Sequence, residues 1–297
     1  MSLVTKLVLA TLPAIPRPLM RRLSARYIAG ESLAEALERL RELRGQGYSG
    51  ILDILGEDVA DRAAARAVAR DYCAAASAIA EAELDAYPSI KPTHFGLRLG
   101  EELAQELIGE LCAHCRELDL LVRVEMEDHT TTDATLRIFG RLRERFDNVG
   151  IVLQSRLRRT PRDIDELPEG PVDVRLVKGV YLEPEEIAHT GRQEIRDAFV
   201  ENAEHLLQRG HRIAFATHDE HLAARLLRLA SDRGVDRGRY YFEVLLGVQE
   251  RLWKMWSAAG HEVRVYVPFG PEWRAYSQRR LKSNPEILRH VMRNVLR

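Results

Sequence analysis

Apolar and β-branched residues recur along the chain in short runs, each followed by a stretch of helical periodicity. Seven runs read as strands from their composition and bounding turn residues: Gly50 to Glu57, Leu121 to Asp128, Val149 to Ser155, Val172 to Gly179, Arg212 to Asp219, Tyr240 to Gly247 and Glu262 to Gly270. An eighth, Leu84 to Pro92, is a poorer signal because Pro88 interrupts it. The starts lie about 30 residues apart on average, the length of a strand plus a crossover helix. Between them, Asp61 to Ala82 is alanine-rich, and Glu101 to Leu118 puts Leu103, Leu107, Leu111 and Cys115 on one face. Asp133 to Phe146 and Glu194 to Arg209 are amphipathic in the same way.

Eight strands alternating with helices predict a (β/α)8 barrel, α/β in class and TIM-like, over residues 49–297. Residues 1–48 then form an N-terminal helical segment. The competitor, an open doubly wound sheet, usually places a Gly-rich phosphate turn after its first strand, and here that strand runs into GEDVADR. No linker or charge block divides the chain.

The chemistry of such a barrel gathers at the C-terminal strand ends. Those ends supply Asp53, Glu57, Lys91, Glu125, Glu127, Asp128, His129, Gln154, Arg175, Lys178, Thr217, His218, Asp219, Glu243 and Tyr266. Glu125, Arg175 and Lys178 stand out because apolar neighbours flank them, and a charge inside an apolar strand needs a partner. After the last strand, Glu272 to Asn284 reads as a helix with Tyr276, Arg279 and Arg280 on one face, a pattern able to hold a carboxylate in forked hydrogen bonds or simply to form a solvated basic face. Cys112 and Cys115 have C-x2-C spacing without a second pair, so core thiols are the better reading. His218, Asp219, Glu125 and Asp128 offer ligands for a metal-dependent barrel hydrolase, although no H-E-x-x-H is present.

Composition narrows the classes. Lys plus Arg number 44 against 45 Asp plus Glu, a formal charge of −1, which argues against a nucleic-acid binder acting through bulk charge. Three cysteines are too few for a disulfide framework and suit a reducing cytoplasm. No apolar run approaches the roughly 20 residues that cross a bilayer. Leu7 to Ile15 is apolar but broken by Pro13, and it precedes Arg17, Arg21, Arg22 and Arg26. It reads as an irregular or partly helical segment packed on the body, or alternatively as a peripheral contact with a membrane surface.

The series SIKPTHFG, VRVEMEDHTTTDATL, VGIVLQSRLRRT, VRLVKGVYLEP, IAFATHD, YYFEVLLGV, VRVYVPFG and EWRAYSQRRL resembles the flavin-dependent proline dehydrogenase family in its short bacterial monofunctional form, in order from about Asp53 to the C-terminus. The resemblance implies a (β/α)8 barrel, FAD at its mouth, and oxidation of L-proline to 1-pyrroline-5-carboxylate with electrons passed to a membrane quinone. It implies that Lys91, Arg279 and Arg280 hold the substrate carboxylate, while Leu245, Tyr266 and Tyr276 pack on its ring. Glu125, where the family usually has Asp, would organise the cations. Arg175 would sit near the flavin N5, with Met126, Gln154, Lys178, Gly179, Val180, Thr217 and His218 contacting FAD. Val180 stands where the family generally has Ala, and Glu243 where it usually has Gln. These departures leave room for a paralogue acting on another cyclic or N-alkyl amino acid, and a scaffold with a decayed site is the remaining reading.

Overall fold

In a computed structural model, the strands close into one parallel barrel in the order β1 to β8. The structure describes residues 20–21, 24–274 and 276–277. The strands are β1 (Ser49–Ile54), β2 (Ala86–Ile90), β3 (Val122–Val124), β4 (Val149–Gln154), β5 (Asp173–Val177), β6 (Arg212–Ala216), β7 (Tyr240–Leu245) and β8 (Val263–Phe269). Pairing of Asp53 with Pro268, and of the residues on either side, seals β1 against β8. Helices α1 (Leu33–Gly45), α2 (Arg62–Glu81), α3 (Glu101–Glu117), α4 (His129–Arg143), α5 (Thr160–Asp165), α6 (Arg192–Gln208), α7 (Glu220–Asp232) and α8 (Glu250–Ala258) accompany them.

The predicted barrel is therefore present, with local corrections. The Pro88 segment is a true strand: all five residues of β2 are buried between its neighbours, which outweighs the one lost ladder donor. Its Ser89 carbonyl also accepts from the Tyr72 hydroxyl of α2 at 3.0 Å. Strand β3 stops at Val124 rather than running to Asp128, so Glu125, Met126 and Glu127 belong to the loop at the mouth. Helix α4 starts at His129, four residues before the expected Asp133, because Asp128 caps it by accepting from the Thr130 amide at 2.9 Å. Asp219 caps α7 in the same manner through Leu222. Both aspartates stand among the strand-end acids, and each serves a helix start.

Residues 29–45 join the barrel wall. The Ala29 amide donates to the Pro268 carbonyl at 2.9 Å, and the Gly270 amide donates to that of Gly30 at 3.1 Å. A capping box between Ser32 and Glu35 then opens α1, which lays Ala36, Leu40 and Leu43 against β1 and β8. The apolar stretch Leu7 to Ile15, together with Arg17 and Arg22, lies outside the described residues.

Most of the aliphatic core lies between the strands and the helices. Inside the barrel, where branched aliphatic layers are usual, the filling is ionic. Arg123 of β3 is fully buried and bonds to Asp173 of β5 and, at 2.9 Å, to the Tyr241 hydroxyl of β7. It fits because β4 carries glycine at the facing position. A Cβ on Gly150 would stand 2.5 Å from the Asp173 carbonyl oxygen and 2.6 Å from Arg123 Nη1. Gly150→Ala is accordingly expected to destabilise the fold by about 1–3 kcal/mol, the usual range for overpacking, readable as a lower urea midpoint at unchanged m-value.

Candidate functional site

At the C-terminal mouth, five strands send polar groups to one point. Arg175 of β5 is 5% exposed, and its Nη1 donates to Glu125 Oε1 at 3.0 Å and to Ser89 Oγ at 3.1 Å. Its Nε donates to Glu243 of β7. Tyr266 of β8 lies under the guanidinium, 5.3 Å from ring centroid to Cζ, and its hydroxyl donates to Glu125 Oε1 at 2.8 Å. Lys91, just past β2, donates to Asp53 Oδ1 of β1 at 3.0 Å and lies 3.9 Å from Glu125 Oε2. Contacts between strands that are not neighbours in the sheet place Arg175, Glu125, Ser89, Glu243 and Tyr266 inside the barrel.

The two carboxyls flanking Lys91 are driven apart. Burial pushes both upward. In Glu125 the Lys91 and Arg175 cations outweigh burial, with the Ser89 and Tyr266 hydroxyls adding, and hold the carboxyl below the usual range. In Asp53, which is fully buried, burial wins over Lys91, and the neighbouring Glu125 charge adds to the rise. Such a split between adjacent acids accompanies many sites that handle protons or ionic substrates, and structural ion pairs also produce it.

Of the candidates read from the sequence, Lys91, Glu125, Arg175 and Tyr266 are brought together as described. Leu245 packs on the Ile51–Tyr87–Tyr266 cluster, and its amide donates to His218 Nε2 at 3.0 Å. Tyr276 is half-buried and within electrostatic reach of Tyr266. Gln154 is buried and donates to the Glu127 carbonyl at 2.8 Å, next to the buried Met126. Thr217 is buried and accepts from the Asp219 amide at 3.1 Å. Lys178 does not join the Arg175 group; it pairs with Asp219 at 2.6 Å, which Arg196 also holds. Gly179 has φ +98°, and a Cβ there would stand 2.8 Å from Gln154 Oε1. Val180 follows it at 86% exposure. Arg279 and Arg280 lie outside the described residues.

The hydrolase ligand set does not converge. Asp219 is occupied by Lys178 and Arg196, Asp128 by Arg98 at 3.1 Å and by Thr130, and Glu125 by the cations above. Among the described residues no group of three His, Cys, Asp or Glu side chains is placed to hold a metal ion.

Two members of the site were missed. Asp53 is a strand-end acid whose sequence signal is its charge in the apolar run GILDILGE. Tyr181 carries no signal of its own in VKGVYLEP. Its phenol is pushed up first by burial and then by the Glu127 and Glu125 carboxylates, and Lys91 is also within reach, so it sits at the same mouth. Arg156 holds it there through the Tyr181 carbonyl.

Residues 36–293 match the model of a family described as "Proline dehydrogenase". "Proline dehydrogenase" of Deinococcus radiodurans is 32% identical over 288 residues, covering 95% of this chain and 93% of that one. "Proline dehydrogenase 2" of Bacillus subtilis is 29% identical over 262 residues, 88% of this chain and 86% of that one. The crystal structure of proline utilization A from Bdellovibrio bacteriovorus, inactivated by N-propargylglycine, superposes with a TM-score of 0.81 at 25% identity. It matches 87% of this chain, which spans only 32% of that longer one.

His94 provides a test of the mouth's electrostatics. Burial, then the Lys91 charge, lowers its pKa from 6.5 to about 4. Between those values the unfolded chain binds a proton that the folded chain refuses, so stability falls as pH drops from 6.5 toward 4. The slope contributed is at most about 1.4 kcal/mol per pH unit. His94→Gln is expected to flatten the pH dependence of the urea midpoint between about pH 5 and 6.5.

Proposed function

The chain belongs to the proline dehydrogenase family, and from that premise we propose that it oxidises L-proline to 1-pyrroline-5-carboxylate with FAD as hydride acceptor and a membrane quinone as the final oxidant. The observation that carries this reading is the Lys91–Asp53–Glu125–Arg175 cluster, lined by Tyr266 and Leu245, at the mouth of the barrel.

The residues at the mouth fit a flavin. Arg175 Nη2 is a buried donor with no hydrogen-bond partner among the described residues, as a group awaiting an acceptor would be. Val180 and Leu182, 86% and 98% exposed, are apolar side chains in the loop that follows β5, where a planar ring could cover them. Gly179 keeps the chain free of a side chain next to Gln154. Arg175 and Lys178 would face the cofactor, with Met126, Gln154, Gly179, Val180, Thr217 and His218 around it. FAD, when bound, supplies the two-electron acceptor. Lys91, with Arg279 and Arg280, would grip the substrate carboxylate, and Tyr266, Tyr276 and Leu245 would press on the pyrrolidine ring, fixing the C–H bond that breaks. Glu125 and Asp53 keep the facing cations from repelling one another before substrate arrives. The amine must be neutral to release hydride, so turnover is expected to rise with pH until the substrate is deprotonated.

Among the described residues no helix is long and apolar enough to cross a membrane. In this reading electrons would reach the quinone through a peripheral contact from the cytoplasmic side.

The deciding experiment is anaerobic titration of the purified flavin-loaded protein with L-proline, followed by absorbance. Bleaching of the flavin band is expected. Flavin that stays oxidised with proline but bleaches with another cyclic or N-alkyl amino acid reassigns the substrate, in keeping with Val180. A protein that takes up no flavin overturns the proposal.

A further inference from the structure

Glu243 takes no part in the contacts proposed above, yet it is one of the most tightly held groups in the barrel. It is 4% exposed. Its Oε2 accepts from Arg175 Nε, and its Oε1 accepts from the Tyr87 hydroxyl at 2.6 Å with Arg123 Nη2 at 3.8 Å. Each hydrogen-bond or ion-pair partner that the described residues give its head group is thus a donor or a cation. An amide at 243 would offer one acceptor oxygen and turn its NH2 toward either the guanidinium or the phenol. The surroundings are those of a carboxylate, at a position where the family resemblance leads one to expect Gln.

We propose that Glu243 is a positioning residue that sets the charge Arg175 presents to the flavin and so lowers the reduction potential of the bound cofactor. The inference rests on the flavoenzyme reading, in which Arg175 faces the isoalloxazine. Arg175 Nε is committed to Glu243 and Nη1 to Glu125 and Ser89, which leaves Nη2 as its remaining donor. One guanidinium held by two carboxylates projects little net positive field. Two-electron reduction adds negative charge to the flavin, and a neutralised Arg175 stabilises that charge less than a bare cation does. The same carboxylate fixes the orientation of the guanidinium through Nε, so Glu243 aims the donor as well as tempering it.

The test is the midpoint potential of bound flavin, measured against a reference dye in the wild type, Glu243→Gln and Glu243→Asp. The Gln variant removes one negative charge from a buried site. It is expected to favour the reduced form by about tenfold, a rise of about 30 mV for a two-electron couple. The Asp variant keeps the charge and is expected to stay within about threefold of the wild type. A Gln variant at the wild-type potential, or an Asp variant that rises as far as Gln, overturns the proposal. If the Gln variant fails to fold, Tyr87→Phe gives the opposite sign: with the phenol donor gone, more of the carboxylate's charge falls on Arg175 and the potential drops. An unchanged or raised potential there also overturns it. A wild type that binds no flavin overturns the flavoenzyme reading and this proposal together, whereas flavin uptake with a potential indifferent to position 243 overturns this one alone.

Discussion

A guanidinium buried in a closed barrel has to be matched, and Arg175 is matched twice, by Glu125 and by Glu243. Each of those acids reaches on to a second cation, Lys91 on one side and Arg123 on the other. Arg123 meets Asp173, which Arg212 also holds; Arg212 meets Glu262, and Glu262 meets Arg264. A continuous ladder of alternating charge thus runs from the mouth to the opposite end. Well-packed aliphatic side chains stabilise an interior at least as well as buried ion pairs do, while removal of one partner from a buried pair is severely destabilising. The ladder is therefore a poor device for stability alone and a good one for holding charged groups at defined positions.

The ladder also explains the size pattern around it. Gly150, Ala214 and Ala216 line the strands beside Arg123, Arg175 and Glu243, where larger side chains would compete for the volume the guanidinium and carboxylate groups occupy. Tyr87, Tyr241 and Tyr266 fill the remaining space with rings whose hydroxyls complete the hydrogen bonding, and cationic faces stack on all three. Packing and electrostatics are met by the same residues, so the positions at the mouth inherit their rigidity from the layers below.

The period of the apolar runs made the barrel legible, because strand and crossover helix together have a characteristic length. The paired charges were legible for a different reason: Glu125 and Arg175 sit between apolar neighbours, and an ion there must have a partner. Strand ends were read less well. Asp128 and Asp219 are polar residues after strands, yet each is placed to cap the next helix, and a side chain's duty to a helix start looks in sequence like a side chain lining a site. Asp53 lacked a visible partner because Lys91 lies 38 residues away. Tyr181 was hidden because its inward turn depends on the left-handed Gly179 and on Arg156, neither of which marks a tyrosine.

Two departures from the family pattern looked independent in sequence, Glu for Asp at 125 and Glu for Gln at 243. In the barrel they meet on one guanidinium. The longer arm at 125 lets a single carboxylate accept from Ser89, Tyr266 and Arg175 while facing Lys91. The added charge at 243 takes the Nε of the same arginine and the phenol of Tyr87. Here each changed group is satisfied on every side that the described residues reach, and the cation between them keeps one donor in reserve. An Arg175 held from both sides by matched acids, with one donor left over, is the arrangement the proposed flavin site would use.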